Sequence, residues 1–187
     1  MLALIPAIAC CAPPPPIALT EGYSGASRAH GALRPLWSFT PCRVHVDAVL
    51  DARAPADSMG EIGGRPIGGK DTIGWLRSGL QTLSDGSQIR FVGADQADLI
   101  LRVELLKAYL LSNAQMAKTA NVVVRVRYSD PSSAQTTPPD EGTYRGHDSG
   151  VNWLSSSAES QAELDSALSQ ILDDIGGGIA SRCREKS

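Results

Sequence analysis

Hydrophobic and polar positions alternate most regularly between Asp98 and Tyr128. Leu99, Leu101, Val103 and Leu105 fall on one face of an extended segment, with Arg102 and Glu104 on the other. After a short connection, Val122, Val124, Val126 and Tyr128 repeat the pattern against Arg125 and Arg127. Period two predicts two paired strands. Their apolar face needs a covering layer, and their charged face is left to water or a partner.

The same alternation predicts a strand from Cys42 to Asp51, with Cys42, Val44, Val46, Ala48 and Leu50 inward and Arg43, His45, Asp47, Val49 and Asp51 outward. Residues Arg53 to Lys70 carry five glycines and read as a loop. A helix is predicted from Asp71 or Thr72, with Ile73, Leu76, Leu80 and Leu83 on one stripe and Gly86 as its left-handed end. Gln88 to Val92 is a short strand. Ser129 to Glu141 is a Pro- and Ser-rich loop, and Thr143-Tyr-Arg a short edge strand. Ser156 and Glu159 form a capping box opening a long helix on Leu164, Leu168, Ile171, Leu172, Ile175 and Ile179, which Gly176-Gly-Gly178 is expected to break. The expected fold class is α+β: one mixed or antiparallel sheet of about four to five strands, with two helices packed on one face.

The 187 residues fit one domain with appendages. A net charge of -3 gives no electrostatic basis for nucleic-acid binding, and 5% aromatic residues leave few stacking platforms. No run of eighteen apolar residues is present to form a spanning helix. The N-terminus is different in kind. Ala7-Ile8-Ala9-Cys10 closes an apolar stretch and resembles the lipobox of a bacterial lipoprotein signal. The resemblance implies a signal over residues 1–9, lipidation at Cys10 and, with Cys11 rather than aspartate after it, the periplasmic face of the outer membrane. Pro13 to Pro16 and the Ala-, Gly- and Ser-rich stretch that follows read as a disordered tether over 10–38, leaving 39–187 as a single periplasmic domain.

Chemistry-bearing motifs are sparse. Gly64-Arg-Pro-Ile-Gly-Gly-Lys70 resembles a phosphate-binding loop up to its lysine, but Asp71 stands where a magnesium-binding hydroxyl is needed. A surface loop is the expectation, and a nucleotide-binding module the weakest functional reading. His30, His45 and His147 have no second ligand at metal-binding spacing, so no metal, cofactor or catalytic residue is assigned. In an oxidising compartment Cys42 and Cys183 could pair as a disulfide, with two separate thiols as the alternative. His45, Asp47, Arg102, Glu104, Arg125 and Arg127 would share the outward sheet face. Cross-strand ion pairing is the plain account of such a face, and a docking surface for an envelope protein or a second copy the sharper one.

The strings Thr72-Ile-Gly-Trp-Leu-Arg-Ser-Gly-Leu, Ala97-Asp-Leu-Ile-Leu-Arg-Val-Glu-Leu, Ala120-Asn-Val-Val-Val-Arg-Val, Tyr144-Arg-Gly and Asn152-Trp153 occur in an order that resembles the YajG-type family of bacterial lipoproteins. That resemblance implies an envelope location and no catalytic residues. The auxiliary lipoproteins of ABC-type lipid transport systems share the layout of helices on a sheet and supply the alternative reading.

Overall fold

The computed structural model describes residues 16–19, 22–25, 41–54, 59–62, 64–68, 71–85, 87–112, 117–131, 140–151 and 156–185. In chain order these form β1 (Ile17–Ala18), β2 (Cys42–Asp51), β3 (Gly60–Ile62), β4 (Arg65–Gly68), α1 (Thr72–Gln81), β5 (Ile89–Phe91), β6 (Leu99–Ser112), β7 (Ala117–Ser129), β8 (Asp140–Val151) and α2 (Ser157–Arg184). Single 3-10 turns lie at Thr82–Ser84 and Ala94–Gln96.

The alternating segment becomes the antiparallel pair β6 and β7, in register from Ile100 opposite Ser129 to Ser112 opposite Lys118. β8 continues it antiparallel on the far side of β7. The other edge of β6 is shared: β2 runs parallel to its first half, and β3 pairs parallel with Leu110 and Leu111 near its end. A bulge between Leu105 and Lys107 lies between these two stretches. The sheet is mixed, and it holds eight strands among the described residues rather than four to five. The extra strands are short: β1, β3 and β4 have two to four residues each, too few for alternation to reveal them, while the short strand expected at Gln88 to Val92 is β5.

Both helices lie on the apolar face. Asp71 caps α1 by accepting from the Gly74 N–H at 2.6 Å, and Ser156 caps α2 by accepting from the Glu159 N–H at 3.2 Å. Leu164, Leu168, Ile171, Leu172, Ile175 and Ile179 of α2 are completely buried, together with Val103, Leu105, Val122, Val124 and Val126 of the sheet. Each such side chain contributes about 1.5–3 kcal/mol of burial. Trp75, absent from the expected stripe of α1, is buried beside Leu76 and Leu80.

Several expectations are corrected. β2 is not regular: Val46 is in register with Leu101 but Ala48 with Arg102, so Asp47 is an extra residue in a bulge. The bulge inverts the alternation, and Val49 is buried while Leu50 is 38% exposed. Gly176 to Gly178 do not break α2, which runs to Arg184. A Cβ on Gly178 would sit 2.8 Å from the Tyr128 hydroxyl and 2.9 Å from that of Tyr144, so this glycine admits the hydroxyl pair. Packing of this kind outweighs an intrinsic propensity penalty of about 1 kcal/mol per glycine. Part of the glycine-rich loop is the hairpin β3–β4, with Gly60 at φ 94° and Gly64 at φ 74°. The edge strand around Tyr144 runs for twelve residues. α1 ends at Gln81, continuing as the 3-10 turn, and Gly86 lies outside the described residues.

The segment expected to hang free over 10–38 is in part structured. β1 pairs parallel with β4, Ile17 opposite Ile67, and Ile17 and Tyr23 are buried. Ser24 donates to the Asp165 Oδ2 from its backbone N–H at 2.9 Å and from its hydroxyl. The Oδ1 of Asp165 accepts from Trp75 Nε1 and Gln161 Nε2, each at 2.8 Å. Asp165 is completely buried, and these four donors meet the demands of its carboxylate.

Close approach of α2 to β8 is the tightest constraint in this packing. A Cβ on Gly146 would lie 1.8 Å from the Ala167 carbonyl oxygen, whereas one on Gly177 would meet nothing within 4 Å. Gly146→Ala is expected to destabilise by about 1–3 kcal/mol through overpacking. Gly177→Ala is expected to stabilise by up to about 1 kcal/mol. Urea unfolding of both variants measures the opposite signs.

Candidate partner-binding face

The side of the sheet away from the helices is built by register. On β6 and β7, Glu104 stands opposite Arg125 and Arg102 opposite Arg127. On β7 and β8, Arg127 stands opposite Glu141 and Arg125 opposite Thr143. Glu104 is the hub: its carboxylate lies 3.8 Å from Arg102, 3.4 Å from Arg125 and 3.0 Å from Arg127. Surrounded by three guanidinium groups, its side chain is only 11% exposed. Glu141 closes the cluster at 3.3 Å from Arg125 and 2.8 Å from Arg127. The hydrogen bond from Arg127 holds the Glu141 carboxyl below the ordinary glutamate value. The same bond, with the field of Glu104, raises the Arg127 guanidinium.

Of the six residues expected on this face, Arg102, Glu104, Arg125 and Arg127 come together. His45 and Asp47 do not join them. His45 is on β2 opposite Ile100, with its Nδ1 3.1 Å from the Val92 carbonyl oxygen, and Asp47 occupies the bulge. β5 pairs with β2 only over Cys42 to Val44, and past its end His45 and Asp47 line a cleft of about 430 Å³ with Val46, Val49, Leu80 and Phe91. Arg77 of α1 also lines it.

Sequence reading missed Glu141, together with exposed Lys107 and Arg145, which both stand opposite Val123. The signal was present but disguised. Glu141, Thr143, Arg145, His147 and Ser149 alternate with Gly142, Tyr144, Gly146, Asp148 and Gly150, so the inward positions carry glycine where an apolar residue would have marked a strand. Leu50 and Leu111 are the exposed large hydrophobic residues among those described.

The remaining candidate residues are placed as follows. Cys42 at the start of β2 and Cys183 near the end of α2 are joined as a disulfide, Cα atoms 5.8 Å apart. Gly64 to Gly68 form a turn and the strand β4 rather than a phosphate cradle, and Gly69 and Lys70 lie outside the described residues. Cys10 also lies outside them. Among the described residues no group of three or more His, Cys, Asp and Glu side chains is gathered for a metal, and no helix is long and apolar enough to cross a membrane.

The class defined by this geometry is a two-layer α+β domain, with helices on one face of a mixed sheet and an ionic cluster on the other. No family model matches the chain, and neither does any curated protein. Solved structures match in fold. Protein XCC0632 from Xanthomonas campestris, of family DUF330, aligns with a TM-score of 0.59 and 13% identity, covering 81% of this chain and 91% of that one. The hypothetical protein CT253 from Chlamydia trachomatis aligns with a TM-score of 0.53 and 10% identity, covering 76% and 98%. A minor lipoprotein from Acinetobacter baumannii aligns more loosely, with a TM-score of 0.43 and 12% identity over 79% and 94%. The likeness to the first two shows a shared fold alone.

The lowered Glu141 value carries a pH signature. A carboxylate depressed in the fold contributes stability in full above its unfolded value, about 4.3, and loses it as pH falls through the lowered folded value. Wild type is expected to lose more stability than Glu141→Gln on going from pH 6 to pH 3. Thermal unfolding across that range measures the difference.

Proposed function

We propose that this chain is a non-enzymatic lipoprotein of the bacterial envelope, anchored through Cys10 at the periplasmic face of the outer membrane. It acts as an accessory binding module whose partner is an envelope protein with an acidic surface. The observation that carries the binding role is the uncovered sheet face. Among the described residues of β6, β7 and β8, Arg102, Lys107, Arg125, Arg127 and Arg145 stand there against the carboxylates Glu104 and Glu141, in a chain whose net charge is -3. A basic patch on an acidic chain favours encounter with an acidic partner. The lipobox resemblance at Ala7 to Cys10 supports the anchor, and the YajG-type resemblance supports the envelope location.

The cleft beside β2 favours a second reading, an auxiliary lipoprotein of an ABC-type lipid transport system. Val46, Val49, Leu80 and Phe91 offer apolar contact there, with Arg77 as the cation for an anionic head group. That reading predicts lipid co-purifying with the protein.

Two measurements test the primary reading. Intact mass from the native membrane fraction is expected to show a chain beginning at Cys10 with added acyl mass, lost in Cys10→Ala; an unmodified chain retaining Met1 contradicts the anchor. Capture from envelope extracts is expected to weaken at least tenfold in the pair Arg125→Glu and Arg127→Glu, and to weaken with added salt. Unchanged capture by that double variant contradicts the binding face.

A further inference from the structure

The described chain enters the domain at a defined corner of the fold. Residues that read as tether instead lie across the domain: β1 adds to the edge of β4, the Leu19 N–H donates to the Gly68 carbonyl at 3.2 Å, and Tyr23 is buried. Beyond them, Ser24 closes onto Asp165, the carboxylate already engaged by Trp75 of α1 and Gln161 of α2. The strap is thereby fastened at two places, a sheet edge and the junction of the two helices. In the register of this parallel pair Ile17 lies opposite Ile67, so the chain arrives at β1 beside Pro66, next to the turn of the β3–β4 hairpin.

This placement changes the reach of the anchor. Ile17 is seven positions after Cys10, a span of at most about 25 Å fully extended. A free tether running on to Cys42 would allow about 110 Å. We propose that the strap formed by residues 17–19 and 22–25 holds the β3–β4 corner of the domain at the lipid surface that carries Cys10, so that this corner, with Arg65 and Pro66, is a membrane-facing surface. The proposal rests on the reading of Cys10 as the anchor. It leaves the ionic sheet face, on β6 to β8, as a separate surface.

Two insertions test it without touching the packed residues. The full mature chain from Cys10, carrying Cys11→Ser, is coupled through Cys10 to a maleimide lipid in a supported bilayer of phosphatidylethanolamine and phosphatidylglycerol. Neutron reflectometry then reads the water-filled gap between head groups and protein. A Gly/Ser insert of about twenty residues, about 25 Å as a coil, is placed between Ala12 and Pro13 or between Ala32 and Leu33. The strap predicts a gap within about 25 Å for the uninserted chain, widened by the first insert and unchanged by the second. Widening by both inserts alike, or a larger gap in the uninserted chain, overturns it. An unchanged gap with both inserts also overturns it, since the domain would then adhere without the strap. Chemical coupling makes the result independent of native acylation, which the intact mass reports separately.

Discussion

The structure depends on one constraint: β6 is paired on both edges, by β7 along one and in two separate stretches along the other, while burying a single face. β7 satisfies one edge over the full length. No single strand covers the other, so β2 takes the first half and β3 the end, with a bulge at Leu105 to Lys107 between them. Because alternate side chains of β6 and β7 point the same way, this pairing collects Leu99, Leu101, Val103, Val122, Val124 and Val126 on one side, where α2 covers them. It collects Arg102, Glu104, Arg125 and Arg127 on the other. Core and charged face are two consequences of one register, and a slip of one residue would exchange them.

How much of this is legible in the sequence follows from the length of each signal. The alternation of β6 and β7 and the stripe of α2 span many residues and are read directly, as are both caps. The bulge at Asp47 is not, because a single inserted residue leaves composition unchanged while inverting every side chain after it. β8 is hidden for a different reason: Gly142, Gly146 and Gly150 occupy its helix-facing positions, and glycine carries no apolar signature even though α2 lies directly over it. Gly176 to Gly178 mislead in the opposite sense, resembling a break when Gly178 is spent on room for Tyr128 and Tyr144. The strap is illegible locally, since what holds Ser24 is Asp165, 141 residues away.

The candidate face follows the same division. Four of its residues lie on the two most regularly alternating strands, β6 and β7, and are legible there; Glu141 and Arg145 lie on β8, which glycine disguises. Alternation extended through the bulge puts His45 and Asp47 on this face, whereas they lie at the cleft where β5 ends. The ion pairs internal to the cluster neutralise part of its charge, as cross-strand pairs commonly do. What pairing within the cluster does not cancel is the excess of cations on a chain that is acidic as a whole.

The most direct test of the account is photocrosslinking in intact cells from two exposed positions, Thr143 on the ionic sheet face and Asp174 on the outer side of α2. A photoreactive residue at Thr143 is expected to capture one discrete envelope protein, with capture lost in the Arg125→Glu and Arg127→Glu background, while one at Asp174 captures none. Equal capture from both positions, or capture from Asp174 alone, would contradict the assignment of the uncovered sheet face as the binding surface.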